Sequence, residues 1–146
     1  MSHANDEEYL LWKYPETTNN YQIGEIYARV LTDVSHVVHS SCVDAGWYTD
    51  LSTGDPLERN IPEMLCLIHS EISEALEGYR KDLMDTHLPS YANVDVELAD
   101  AVIRILDLCG YLGIDIGQVI SDKFDYNQER ADHKLENRLK DGGKKI

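Results

Sequence analysis

Positive charge is scarce in this chain. Thirteen lysines and arginines stand against 27 aspartates and glutamates in 146 residues, a formal net charge of −14. Such a balance excludes a nucleic-acid polymer as partner, because gripping phosphates needs basic surface. Cysteine is scarce too: Cys42, Cys66 and Cys109 are odd in number and form no CxxC pair. Neither a disulfide scaffold nor a zinc ribbon is expected from them. Each lies among apolar neighbours, so each is expected to be a buried small hydrophobe in a cytoplasmic compartment. No run approaches the roughly 20 apolar residues of a membrane span, so no membrane partner is expected. The first residues, MSHANDEEYLLWKY, are acidic and polar, unlike a secretory signal or transit peptide. Internal repeats and low-complexity segments are absent, and β-branched alternation is sparse.

What the chain has is helical periodicity. Its length fits one domain able to bury a core, and 42% hydrophobic with 27% charged residues is ordinary globular composition. Charge is uneven: seven basic and five acidic residues leave positions 123–146 at +2, and the first 122 residues at −16. The expected organisation is an extension over 1–21, a helical domain over 22–131, and a basic tail over 132–146. Within the extension, residues 5–13 have the pattern of a short helix. Apolar spacings of three and four predict helices over 22–45, about 61–81, about 94–112 and about 115–131. Gly46 is placed to end the first, Asn60 to cap the second and Asn93 the third. Gly113 breaks the third, and Asp115 can cap the fourth. The fold class is therefore all-α, a bundle of four helices.

The third helix carries the sharpest signal. At about 100° per residue its apolar side chains cover most of the circumference, which predicts burial nearly all round. The exception is a wedge holding Glu97, Asp100, Arg104, Asp107 and Tyr111. Three carboxylates in one buried strip repel one another and resist desolvation, and a cation relieves both costs. The second helix offers Glu71 and Glu74, three residues apart on one flank. Two antiparallel helices can thus aim four carboxylates into one cleft, and all-oxygen ligation suits Mg²⁺ or Mn²⁺. On the fourth helix Lys123, Asn127 and Arg130 form a basic and amide row suited to a triphosphate.

These residues resemble those of the MazG-like, all-α nucleoside triphosphate pyrophosphohydrolases. The likeness rests on Glu-Ile-Ser-Glu at 71–74, Glu-Leu-Ala-Asp at 97–100 and Lys-x-x-x-Asn at 123–127. Upstream, a helix with His39, then Gly46-Trp47, and Arg59-Asn60 opening the first acidic helix follow the same order. The resemblance spans about residues 22–131. It implies a four-helix MazG-like bundle assembled as an oligomer, a homodimer or a dimer of dimers. It also implies Mg²⁺, with Mn²⁺ as substitute, held by Glu71, Glu74, Glu97 and Asp100. Water would attack the α-phosphorus, giving a nucleoside monophosphate and pyrophosphate, with Glu71 or Glu74 activating the water. Lys123, Asn127 and Arg130 would meet phosphate, and His39, Trp47 and Asn60 would lie about the substrate.

Arg104 stands where relatives carry an aromatic for the base. Three roles are open to it: a bridge to Asp107 or Glu97, a phosphate contact, or a fork onto O6 and N7 of guanine. The last would give a guanine nucleotide preference. A carboxylate-bridged di-iron bundle is disfavoured, because it wants Glu-x-x-His on two helices and neither motif here ends in histidine. A non-catalytic acidic adaptor bundle explains the helices and the charge, but leaves the acid wedge without a purpose.

Overall fold

A computed structural model describes residues 20–144. The expected helix over 5–13 lies outside the described residues. The described chain is all-helical, with α1 over Asn20–Asp44, α2 over Ile61–Lys81, α3 over Asn93–Leu112 and α4 over Ile116–Glu129. A 3₁₀ turn at Ala131–His133 and a short α5 at Leu135–Arg138 follow. Among the described residues there is no strand, and pairing is limited to two isolated antiparallel bridges, Thr49–Pro56 and Met84–Ala92. No described helix is long and apolar enough to cross a membrane.

Local chemistry sets the helix ends. Gly46 adopts φ 85°, in the left-handed region open to glycine, and Trp47 N–H donates to the Cys42 carbonyl beside it at 3.1 Å. Asn60 caps α2 as expected, its side-chain oxygen accepting from Glu63 N–H at 3.3 Å, with Pro62 in the first turn. At the head of α3 the expectation shifts by one residue. Ala92 occupies the cap position and Asn93 is the first helical residue. The Asn93 amide is thereby released to donate to Glu97, one turn on, at 2.8 Å. Gly113 ends α3 at φ 66°.

The chain divides into two compact units. The first combines Met1–Val30 with Gly117–Ile146, and the second is Leu31–Ile116. In the first, α4 begins against α1: a side chain at Gly117 would collide with the Ala28 carbonyl. The residues of the expected basic tail continue there as the 3₁₀ turn and α5, and Arg130 closes a two-pronged ion pair on Asp132 at 2.9 and 2.7 Å.

In the second unit, α2 and α3 form a helical hairpin. The connection over 82–92 is pulled tight by Asp85, whose carboxylate accepts from the backbone N–H groups of His87 and Leu88 at 2.8 and 2.6 Å. Tyr48, Met64 and Leu108 form the core, with Cys42, Ile61, Ile68 and Tyr111 packed on it. Gly110 lets α1 come close, since a Cβ there would lie 2.4 Å from that of His39.

Two sequence expectations fail here. The first concerns α3, which is not enveloped. Ala101, Leu106, Leu108 and Cys109 are buried, while Leu98, Val102, Ile103, Ile105 and Leu112 stay exposed. An apolar circumference records a preference for burial, which the second unit by itself does not satisfy. The second concerns the cysteines. Cys109 is buried, but Cys42 is only half-buried and Cys66 sits on the exposed side of α2.

Candidate metal centre and adjoining cavity

Three of the four expected acids converge across the α2–α3 hairpin. Glu71, Glu97 and Asp100 each offer a carboxylate oxygen, and these oxygens lie within 4.8 Å of one another. Glu71 is buried, its side chain 9% exposed. Glu97 is half-buried, and burial raises its pKa above the ordinary carboxylate value. Glu74 and Glu71 add to that rise by repulsion, while the Asn93 amide opposes it. Glu74 itself is exposed and stands outside the converging three, although it is close enough to repel Glu97.

Charge compensation comes from within. Arg104 donates from Nε to Glu71 Oε1 at 2.6 Å. This is neither of the bridges that spacing along α3 offered, to Asp107 or Glu97. Facing helices bring Glu71 closer to the guanidinium than α3's own acids, and a buried carboxylate has the most to gain from a cation. The three converging carboxylates fit a hard divalent cation: oxygen donors only, mutually repelling, from two rigid helices.

A cavity of about 460 Å³ adjoins the acids. Its lining includes Asp100 and Arg104, which it shares with the acidic centre, then Asp107, Arg59 and the apolar Trp47, Met64, Leu67 and Ile103. Trp47 is 62% exposed, a rim residue rather than a core one. Behind the cavity Asp107 is anchored twice. Tyr48 Oη donates to its Oδ2 at 2.9 Å, and His39 Nδ1 meets its Oδ1 at 2.9 Å. An ionised carboxylate only accepts, so the His39 proton sits on Nδ1. Burial, then the bond to Asp107, pushes the Tyr48 hydroxyl well above its ordinary pKa, so it stays a donor. Burial and Asp107 likewise raise the Cys42 thiol.

Asn60 is committed to capping α2, and its neighbour Arg59 reaches the cavity instead. Arg59 is held by a bond from Nη1 to the Trp47 carbonyl at 2.8 Å and lies 5.5 Å above the Tyr48 ring. His39 serves Asp107 and is not itself part of the lining. Lys123, Asn127 and Arg130 belong to the first unit, the acids to the second. Lys123 lies 4.6 Å over the Tyr126 ring, Arg130 is paired with Asp132, and the Asn127 side-chain oxygen is buried without a hydrogen-bond partner. Sequence reasoning missed Cys42 and Tyr48 as parts of the site, and had Arg59 only in the motif before α2 and Asp107 only in the acid wedge. The available signal was Asp107's place in the acid wedge, one turn beyond Arg104.

Compared with protein-family models, with curated proteins and with solved structures, the chain matches none.

Proposed function

We propose that the protein is a Mg²⁺-dependent nucleoside triphosphate pyrophosphohydrolase of MazG-like type, converting a nucleoside triphosphate and water to the monophosphate and pyrophosphate. One observation carries the reading: Glu71, Glu97 and Asp100 converge beside a cavity lined by Asp100 itself and by Arg104, the partner of Glu71. Phosphates need the first feature and a base needs the second. Bound there, Mg²⁺ or Mn²⁺ would neutralise triphosphate charge and acidify a water. Glu71, Glu97 and Asp100 hold the cation's place. Glu74, exposed at the edge of the centre, takes the proton of the attacking water. Arg104 steadies Glu71, while Trp47 offers a ring face at the cavity rim.

The four-helix assembly is completed by a second copy, as a homodimer or a dimer of dimers. Support comes from the apolar side chains left open on the hairpin: Leu65, Ile72, Leu76 and Tyr79 on α2, Leu98, Val102 and Ile105 on α3. The same open surface suits an acidic adaptor, which would have no use for a converging carboxylate centre.

Product analysis decides between them. With Mg²⁺ and a panel of triphosphates, pyrophosphate and the matching monophosphate are the expected products, and excess chelator abolishes their release. Orthophosphate with a diphosphate, or undiminished turnover in chelator, would falsify the assignment. No turnover of any nucleotide would favour the adaptor.

A further inference from the structure

We propose that Asp107 is the base-reading residue of this cavity and that, together with Arg104, it selects guanine. The proposal rests on the nucleotide reading above. Asp100, Arg104 and Asp107 follow one another along a single face of α3, and all three line the cavity. From Asp100 to Asp107 the helix rises about 10 Å, at roughly 1.5 Å per residue. One end of this row meets the acidic centre, where phosphates belong, and the other lies deep beside Tyr48 and His39. The row therefore runs as a nucleotide does, from phosphate to base.

The chemistry of the far end is specific. Asp107 cannot swing, because Tyr48 and His39 hold one oxygen each. A carboxylate has about four acceptor positions; Tyr48 and His39 take two, the Cys42 thiol lies close enough to share a third, and the carboxylate still lines the cavity, where it meets a ligand. A fixed carboxylate demands N–H donors and repels carbonyl oxygens. Arg104, one turn back, commits Nε to Glu71, and its terminal nitrogens are donors that seek acceptors. Guanine presents O6 and N7 as neighbouring acceptors, and beside them N1–H and the 2-amino group as neighbouring donors. Adenine and cytosine each have a single amino donor beside ring acceptors, and uracil has one N–H between two carbonyls. Two donors facing two acceptors, continued by two acceptors facing two donors, is met by guanine alone among the common bases.

Inosine triphosphate is the discriminating probe, since it keeps O6, N7 and N1–H and lacks only the 2-amino group. Pyrophosphate release with Mg²⁺ is measured for the guanine, inosine, adenine, cytosine and uracil triphosphates. The wild type should favour guanine over inosine by roughly tenfold in kcat/KM, the scale of one good base contact, and over the other three by more. In Asp107→Asn both substrates should slow, because inosine shares N1–H, and the guanine-to-inosine ratio should fall to about one as the 2-amino group loses its acceptor. A purely structural role for Asp107 would depress both substrates together and leave the ratio intact. Arg104→Lys should lower guanine and inosine alike relative to adenine, because both share O6 and N7. A wild type that treats guanine and inosine equally, or prefers another base, overturns the proposal even if Asp107→Asn fails to fold. Pyrophosphate release from any triphosphate keeps the pyrophosphohydrolase reading whichever base is best, whereas release from none removes both.

Discussion

Glu97 illustrates how one side chain reports on its surroundings. Burial and two neighbouring glutamates make its charge expensive, and the Asn93 amide offsets part of that expense. Removing the charge should therefore leave the fold intact while removing one of the proposed cation ligands. Glu97→Gln and Asp100→Asn are each expected to lower pyrophosphate release by roughly 100-fold or more, with thermal midpoints at or above the wild-type value in metal-free buffer. Initial-rate assays and calorimetry check the two halves separately. Gly110 makes the opposite case. A methyl there meets the His39 Cβ and the Ser35 carbonyl, so Gly110→Ala should cost about 1–3 kcal/mol by overpacking. A urea titration reads that loss directly.

Among the elements, the α2–α3 hairpin carries both the acids and most of the cavity lining. Its entry depends on the Asn60 cap, and Asn60→Ala should destabilise the fold by about 1 kcal/mol without changing substrate ranking. A thermal melt paired with a substrate panel separates capping from substrate contact. Most of this hairpin was legible in the sequence. Periodicity, Asn60, Gly113 and the two ExxE/ExxD spacings located both helices and three converging acids, because i, i+3 spacing on a helix is a geometric constraint. What stayed illegible depends on contacts between elements. Glu71's choice of Arg104, Asp107's grip by Tyr48 and His39, and Arg59 rather than Asn60 at the cavity all join residues far apart in sequence. No periodicity along one helix encodes which residue of a neighbour will face it.

At the scale of the whole molecule, burial of the described hairpin is incomplete. Leu98, Val102 and Ile105 on α3 stand open, although the sequence of that helix asks for cover. If a second copy supplies it, the interface should bury a large apolar area, often above roughly 2,000 Å² for obligate pairs. Sedimentation at micromolar concentration should then show a dimer or tetramer, and Val102→Asp should shift it toward monomer with loss of turnover. A wild-type monomer with full activity would exclude the assembly.

Arg104 is a cation that no chelator can remove. Because it is tethered beside Glu71, the most deeply buried acid of the centre is never wholly without a positive neighbour, whatever the medium contains. On the proposed reading, divalent ions would serve the chemistry and not the folding of the hairpin. Depletion of metal should leave a reservoir of intact, silent protein, ready to resume work as soon as metal returns.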